Sequence, residues 1–212
     1  ATILPRKNVR KILPILKCTM KDKKQLVIGI TGASGAVYAI RLLELLKAHP
    51  LVETHLIISQ AAKQTISAET NYSLSQVREL ADHDYDVRDI GAAVSSGSFR
   101  ISGMVVLPCS IKTLSGIANC YADDLITRAA DVCLKEYKPL ILCVRETPLH
   151  LGHLRLMTQA AEIGARIVPL MPAFYHRPQT VDDIINQGVN RLLDQLDISL
   201  EQDLFERWQG NK

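Results

Sequence analysis

Short apolar runs alternate along this chain with segments of helical periodicity, and this alternation constrains the fold more than any other feature. The runs of strand length lie at residues 26–31, 53–59, 104–108, 139–145 and 166–170. Strands that alternate with helices form βα units around a parallel sheet. We therefore predict a single α/β domain with a doubly wound parallel sheet.

The helix with the clearest period is predicted at residues 125–136. Its apolar residues recur at i, i+4, i+7 and i+8 and are Leu125, Ala129, Val132 and Cys133. Such spacing places them on one helical stripe, and Arg128, Asp131 and Lys135 lie together away from it. Other helices are predicted at about 36–49, from residue 60, and at 181–196. Residues 82–102 show little periodicity and are predicted to be a loop.

The composition fits a soluble protein and excludes several functions. Hydrophobic residues make up 47% and charged residues 22% of the 212 residues, which is ordinary for a globular chain. The net charge of +3 is too small to indicate nucleic-acid binding. No apolar run approaches the roughly 20 residues of a membrane span. The five cysteines form no C-x-x-C pair, which favours a reducing compartment, and we expect a cytoplasmic protein.

The first 25 residues are predicted to form a basic extension, and the domain would occupy residues 26–212. Before Met20 the segment contains no acid, and its basic residues are Arg6, Lys7, Arg10, Lys11 and Lys17. A basic, acid-free N-terminus is typical of an organelle transit peptide, although Pro5 and Pro14 would interrupt an amphipathic helix. Organelle targeting and an upstream extension of the reading frame both remain open.

A glycine turn follows the first predicted strand and precedes a helix. Backbone N–H groups at such a turn can hold a phosphate or a cofactor edge. The segment from Gly32 to Gly35 lacks the G-x-G-x-x-G fingerprint of dinucleotide-binding proteins. The second strand ends in Ser59, where those proteins place a ribose-binding acid. Both differences favour a mononucleotide such as FMN over NAD, and a strand–helix turn without a ligand is the alternative.

A second turn with hydroxyl groups follows the third predicted strand. Ser110 and Thr113 lie there and have the character of helix N-cap residues. Capping alone would explain them. Ligands of open α/β sheets bind at the carboxyl ends of strands, so we expect this turn to face the same crevice as the glycine turn.

Charged residues follow the fourth and fifth predicted strands. Arg145 and Glu146 are either a solvated ion pair or two groups with separate roles. In the second case Arg145 would bind a phosphate and Glu146 would transfer a proton. The exposed aromatic and cationic run at residues 172–178 is difficult to explain as core. Arg128 and Lys135, seven residues apart on one helix, are either phosphate donors or a solvated face.

No metal site is predicted. Asp123 and Asp124 do not form a D-D-x-x-D motif and are expected to begin the next helix. His150 and His153 are spaced like a metal-binding pair, but no third ligand is evident.

Five segments resemble the UbiX/Pad-type flavin prenyltransferases. They are TGASGAVYAIRLL, LPCSIKTLSGIA, LITRAADVCLKE, PLILCVRETPLHLGHLRLMTQAAEIGA and PAFYHRPQTVDDIINQ. The resemblance extends in order from Leu26 to Trp208. It implies a Rossmann-like, flavodoxin-type fold of three α/β/α layers, assembled as a homododecamer with FMN at subunit interfaces.

The resemblance also implies an activity. Such enzymes transfer a dimethylallyl group from dimethylallyl monophosphate to N5 and C6 of reduced FMN, without a metal. The prenylated FMN serves a UbiD-type decarboxylase, often in ubiquinone synthesis. Residues before Leu26 depart from the family, which usually begins at the first strand.

Site residues are implied by the same motifs. FMN would be held by Gly32, Ala33, Ser34, Ser59, Ser110, Ile111, Lys112, Thr113 and Arg145. Tyr175 and Arg191 would bind the prenyl phosphate, and Arg128 and Lys135 would join them from a neighbouring subunit. We assign removal of the C6 proton to Glu146, with Ser34 as a possible relay.

Two other functions remain open at this point. An FMN-dependent decarboxylase of the phosphopantothenoylcysteine or peptidyl-cysteine type would share the fold, but its P-x-M-N-x-x-M motif does not occur in this sequence. A noncatalytic FMN-binding subunit is the second alternative, and the many cations around one acid argue against it.

Overall fold

A parallel sheet of six strands forms the centre of the computed structural model, which describes residues 23–210. The strands are β1 (Lys24–Ile30), β2 (Val52–Ile58), β3 (His83–Asp86), β4 (Gly103–Cys109), β5 (Leu140–Val144) and β6 (Arg166–Ile167). Their order is β3-β2-β1-β4-β5-β6, and each neighbouring pair is parallel. The chain proceeds outward from β1 to one edge and from β4 to the other, so the sheet is doubly wound, as predicted.

Helices cover both faces of the sheet. They are α1 (Ala36–Lys47), α2 (Gln60–Glu69), α3 (Leu74–Glu79), α4 (Ile111–Ala118), α5 (Leu125–Lys135), α6 (Leu151–Glu162) and α7 (Val181–Gln195). On one face, Leu43 of α1 shares a core cluster with Ile28 of β1. On the other face, Leu114 of α4 shares a second cluster with Val27. Since successive residues of β1 enter different clusters, the predicted three-layer α/β/α arrangement is confirmed.

The predicted strands correspond to β1, β2, β4, β5 and β6. Numbered by themselves they have the order 2-1-3-4-5, which is that of flavodoxin. The strand that sequence analysis missed is β3, which lies within residues 82–102, so the prediction of a loop there was wrong. Placed beside β2, it converts the order to 3-2-1-4-5-6, the order of the Rossmann fold.

β3 escaped prediction because it is polar and lies at the sheet edge. Its sequence is HDYD, and three of its four residues are exposed. An edge strand has one neighbour, so it can present polar side chains to water and carry no apolar pattern.

The last strand is shorter than predicted. β6 ends at Ile167 rather than at residue 170. The N–H of Val168 still donates to the carbonyl oxygen of Leu142 (2.9 Å), but Pro169 has no N–H with which to continue the ladder. Helices α3 and α6 were not predicted either. α6 buries only Ala160, which leaves almost no apolar stripe to detect.

The proposed N-terminal extension lies mostly outside the described residues. β1 begins at Lys24, two residues before the predicted domain start, and residues 1–22, with Cys18 among them, are not described. Of the helices within residues 23–210, none combines the length and apolar character needed to cross a membrane.

A polar cluster lies on the sheet where β1, β2 and β3 adjoin. His55, which is 2% exposed, accepts a hydrogen bond at Nδ1 from the Tyr85 hydroxyl (2.9 Å) and donates from Nε2 to Gln25 Oε1 (2.5 Å). Glu53 accepts from Gln25 Nε2 (2.9 Å) and from His83 Nε2 (2.6 Å). These donors and acceptors match when His55 is neutral with its proton on Nε2. Burial, with a smaller repulsion from His83, lowers the pKa of His55 to about 4.

We expect protonation of His55 to make the free energy of unfolding depend on pH. The dependence lies between about 4, the pKa of His55 in the folded protein, and about 6.5, its pKa in the unfolded chain. In this window the unfolded chain binds the extra proton, so the contribution of His55 is complete above the window and lost as the pH falls through it. The loss is about 3 kcal/mol, at 1.36 kcal/mol per pKa unit. Denaturant unfolding should show a flatter pH dependence for His55→Gln than for the wild type. Equal slopes of the unfolding free energy against pH in the two proteins would contradict a neutral, buried His55.

Candidate active site

The carboxyl ends of β1 and β4 are linked through the side chain of Thr31. Its hydroxyl donates to the carbonyl oxygen of Pro108 (2.6 Å) and accepts from the N–H of Ser110 (2.8 Å). Thr31 is 1% exposed, and its bond to Pro108 is buried while the bond from Ser110 is partly buried. They hold the glycine turn beside the start of α4, at the point where the strand order reverses. Open α/β sheets bind ligands at such a point.

Two further turns lie on either side of this pair. Ser59 follows β2, and its N–H donates to the carbonyl oxygen of Ile30 (2.9 Å). Arg145 follows β5, and its N–H donates to the carbonyl oxygen of Cys109 (3.1 Å). The four turns therefore form a continuous row with Ser59 at one end and Arg145 at the other. The structure brings these residues together as the sequence pattern indicates, and their binding of FMN stays a prediction.

The glycine turn depends on two glycines. Gly35 has a φ of 107°, which favours glycine. A Cβ on Gly32 would lie 2.4 Å from the Cβ of Ala61, so a larger residue would separate the turn from α2. Within residues 23–210 no hydrogen-bond acceptor is recorded for three backbone N–H groups of the turn, those of Gly32, Ala33 and Ser34. These groups are open to a ligand.

Glu69 is a residue of this site that sequence analysis missed. Its Oε2 accepts from the N–H of Gly35 (2.8 Å) and of Ala36 (3.2 Å), at the N-terminus of α1. Burial opposes ionisation, but hydrogen bonds from the Ser34 side chain and these two N–H groups outweigh it and lower the pKa of Glu69, with a further contribution from Arg145. The sequence offered only an indirect indication of this role. Gly35, the N-cap of α1, has no side chain to accept hydrogen bonds from the first N–H groups of the helix, so another residue has to accept them.

Serine hydroxyls cap the helices that begin at two of the turns. Ser59 accepts from the N–H of Ala62 (3.1 Å), and Ser110 accepts from the N–H of Thr113 (3.4 Å). The predicted capping role of Ser110 is therefore confirmed, while Thr113 is the residue that it caps. Ile111 occupies the first turn of α4 beside Ser110.

Lys112 of the same turn is exposed and forms ion pairs across to the next helix. Its Nζ lies 3.3 Å from Asp123 and 3.4 Å from Asp124. Asp124 is the N-cap of α5, so the expectation that these two acids begin a helix is confirmed. A ligand that uses Lys112 has to compete with both carboxylates.

A cavity of about 390 Å³ adjoins the row of turns. Its lining includes Ser34, Tyr38, Leu107, Cys143, Arg145 and Glu146. Arg145 and Glu146 are exposed at its rim, and Glu146 Oε1 accepts from the N–H of Thr147 (2.9 Å). Burial raises the pKa of Cys143, so its thiol stays protonated and is a poor nucleophile. The exposed charged pair and the Ser34 hydroxyl lie at the cavity as expected, and their chemical roles stay a prediction.

The two residues assigned to the prenyl phosphate, Tyr175 and Arg191, are connected by α7. The Tyr175 hydroxyl accepts from Gln187 Nε2 (3.4 Å). Arg191 lies one turn after Gln187 on the same helix face, and its Nη1 bonds Asp194 (2.7 Å). Arg191 is thus available at the surface but shares its carboxylate partner with Arg207.

The C-terminal tail packs against Tyr175, which stays 48% exposed, and sequence analysis did not foresee this contact. Arg207 bonds both oxygens of Asp194 (2.9 and 2.8 Å). This ion pair places the rings of Phe205 and Trp208 at 6.4 and 6.2 Å from that of Tyr175, both edge to face. Such aromatic contacts and the ion pair restrict the position of the Tyr175 loop.

Arg128 and Lys135 are not brought to this cavity within one chain. Arg128 bonds Asp131 (2.8 Å) and the carbonyl oxygen of Ser95 (3.2 Å). Lys135 lies at the end of α5, shortly before β5 begins, whereas the cavity lies beyond the end of β5, about 16 Å further along the strand. If these cations act at such a site, they act at that of another copy.

Among residues 23–210, one group has the spacing of metal ligands: Glu53, His55 and His83. The rings of His55 and His83 are nearly parallel, 11° apart with centroids at 4.7 Å, so their in-plane lone pairs do not converge. The hydrogen bonds of this cluster also occupy both nitrogens of His55. The group is therefore arranged as a hydrogen-bonded network, and the metal independence of the reaction stays a prediction.

The comparisons with known proteins agree with this geometry. Residues 15–187 match the Flavoprotein family. The flavin prenyltransferase UbiX of Escherichia coli (strain K12) is 67% identical over 187 residues, which is 88% of this chain and 99% of that protein.

Two solved structures have the same fold over most of their length. The crystal structure of AnUbiX (PadA1) in complex with FMN and dimethylallyl pyrophosphate has a TM-score of 0.86 and 47% identity, covering 90% of this chain and all of that one. A dodecameric FMN-dependent UbiX-like decarboxylase from Escherichia coli O157:H7 has a TM-score of 0.84 and 49% identity, covering 88% and 100%. The chain belongs to the Flavoprotein family and, within it, to the flavin prenyltransferases of the UbiX type.

Proposed function

We propose that this enzyme transfers a dimethylallyl group from dimethylallyl monophosphate to N5 and C6 of reduced FMN. The observation that carries the proposal is the row of four turns beside an apolar cavity, with Arg145 and Glu146 at the rim. The complex of AnUbiX with FMN and dimethylallyl pyrophosphate supports it, since it joins the same flavin with the same five-carbon group.

The atoms of this reaction balance without an oxidant or a metal. Reduced FMN supplies the electron-rich N5 and C6 to which the five-carbon group becomes bonded. The C–O bond of the prenyl phosphate breaks as N5 bonds to the prenyl group, and the N5 proton leaves with inorganic phosphate. The prenyl double bond then takes up a proton as C6 bonds to its other carbon, and C6 loses its own proton, so the net gain is C5H8. The demand on the protein is therefore to stabilise a departing phosphate and to move protons at the flavin and at the prenyl double bond.

Cations and one phenol are assigned to the phosphate. Tyr175 and Arg191 contact it from the loop and helix of the same chain, and Arg128 and Lys135 reach it from a neighbouring copy. Each well-placed donor contributes on the order of a few kcal/mol to stabilising the developing charge. The support is their exposure and charge, since Arg191 and Lys135 both lie at the surface.

Binding of FMN is assigned to the row of turns. The open N–H groups of Gly32, Ala33 and Ser34, the hydroxyls of Ser59 and Ser110, and the start of α4 with Ile111, Lys112 and Thr113 line its length, and Arg145 closes it. Because Glu69 already occupies the N–H groups that begin α1, the anionic part of the ligand depends on α2, α4 and Arg145 instead.

Proton transfer is assigned to Glu146, with Ser34 as a relay. Glu146 is the carboxylate that lines the cavity. Ser34 lines the same cavity, and its hydroxyl is close enough to Glu69 to help lower the pKa of that carboxyl. The two groups are thus suited to remove a proton from a ring bound between them.

Assembly into a homo-oligomer, a dodecamer as in the UbiX-like relative, completes this site. Apolar side chains are exposed on the segments that follow β5 and β6, and they are Leu149, Leu151, Leu154, Met171 and Phe174. Met171 also lines the cavity, and exposed apolar side chains that form a patch mark an interaction site. We place the reaction in the cytoplasm. Its product would serve a UbiD-type decarboxylase in ubiquinone synthesis, and the similarity to the UbiX enzymes supports this link.

The activity is tested with the purified chain, reduced FMN and dimethylallyl monophosphate under anaerobic conditions. Mass spectrometry should show the flavin gaining one C5H8 unit, with full activity in EDTA, and NAD should not compete with FMN for binding. Dimethylallyl diphosphate, assayed in parallel, identifies the preferred ester. FMN binding without a mass gain would favour the noncatalytic alternative, and loss of activity in EDTA that magnesium restores would contradict the metal-free site.

Glu146→Gln should separate the two bonds that form. The variant keeps the size and hydrogen bonding of the side chain but removes the base, so FMN binding should persist while the bond to C6 slows about a hundred- to ten-thousand-fold. Rapid mixing with mass and absorbance detection should then reveal flavin alkylated at N5 alone.

Glu79→Gln, at an exposed position on α3, is the matched control and should behave as the wild type. Formation of the four-ring product by Glu146→Gln at the wild-type rate would show that Glu146 is not the base.

A further inference from the structure

We propose that the contact between Tyr38 and Gly188 sets the spacing between the flavin-binding turn and the helix that carries the prenyl-phosphate residues. Tyr38 and Gly188 would then be positioning residues of the reaction. The inference rests on the proposed function for what the two sides bind, but the contact itself is a feature of the fold.

Tyr38 is wedged between the glycine turn and α7. It is the third residue of α1 and lines the cavity. One edge of its ring lies 3.5 Å from the position of a Cβ on Gly35. The opposite edge lies 3.2 Å from the position of a Cβ on Gly188, which is buried in the middle of α7. The gap between the ring and α7 is therefore too small for a methyl group at position 188 unless one of the two elements moves.

α7 carries most of the groups that organise the prenyl-phosphate side. Gln187 bonds Tyr175, and Arg191 lies on the same helix. Asn190 Oδ1 accepts from the N–H of Leu204 (2.8 Å), which attaches the tail to α7. Because a helix moves as a unit, a shift of α7 at Gly188 displaces these groups together relative to the glycine turn.

The contact also accounts for a glycine in the interior of a helix. Glycine is a poorer helix former than alanine, so position 188 would by propensity favour alanine. An alanine methyl there would lie closer to the Tyr38 ring than well-packed atoms allow, and either the ring or the helix has to move by a few tenths of an ångström. A misplacement of about 1 Å at a reacting centre can cost about a hundredfold in rate.

The two explanations of Gly188 predict opposite results. If spacing is what matters, Gly188→Ala should weaken the affinity for dimethylallyl monophosphate and raise its KM about tenfold, while the Kd for FMN changes less than about twofold. If helix propensity alone matters, the same substitution should raise Tm and leave KM unchanged, which would overturn the proposal. Gln195→Ala, at the end of α7, is the control for improved helix propensity away from Tyr38.

A double-mutant cycle with Tyr38→Leu isolates the contact. Leucine shortens the side chain, so adding Gly188→Ala in that background should change KM by no more than about twofold. An equal change in both backgrounds would show that Gly188 acts through other neighbours and would contradict the proposal.

Affinity is measured by titrating dimethylallyl monophosphate into each variant loaded with oxidised FMN, which does not require turnover. A wild type that binds the prenyl phosphate but forms no prenylated flavin would refute the proposed function alone. The difference in affinity between the variants would still decide whether the Tyr38–Gly188 contact sets the spacing.

Discussion

The buried hydroxyl of Thr31 holds together the two halves of the sheet at the point where a ligand would bind. It donates to the carbonyl oxygen of Pro108 and accepts from the N–H of Ser110, so one side chain fixes the end of β1 against the end of β4. Losing it would leave the partly buried N–H of Ser110 without a partner, at a cost of about 1–3 kcal/mol, and would leave the carbonyl oxygen of Pro108 with only the N–H of Thr31 (3.3 Å). The alignment of the glycine turn with the start of α4 depends on these bonds.

From this junction the charges of the site follow a consistent pattern. Glu69 neutralises the N-terminus of α1 from within the protein, while Arg145 lies exposed at the cavity. We therefore expect a bound anion to lie away from the start of α1 and near the starts of α2 and α4 and the guanidinium of Arg145. Ser34 lines the same cavity as Arg145 and Glu146, and its proposed role there is that of a proton relay.

The sequence predicted those parts of the site that follow from local pattern. The four turns were identifiable because each follows an apolar strand and carries glycine, hydroxyl or cationic residues. β3 was not, because its HDYD sequence has no apolar period at the sheet edge. Glu69 could not be identified as part of the site, because its partners, the N–H groups of Gly35 and Ala36, lie more than thirty residues away in the chain. Arg207 and Asp194, whose pairing brings the tail to Tyr175, are 13 residues apart, which is also beyond a local pattern.

A crystal structure of the enzyme with FMN and dimethylallyl monophosphate bound tests the central claim most directly. The account predicts that FMN lies across the carboxyl ends of β1 and β4 and contacts all four turns from Ser59 to Arg145. It also predicts that the prenyl phosphate lies between Tyr175 and Arg191 of one chain and Arg128 and Lys135 of another. FMN bound away from the junction at Thr31, or a prenyl phosphate held by one chain alone, would contradict it.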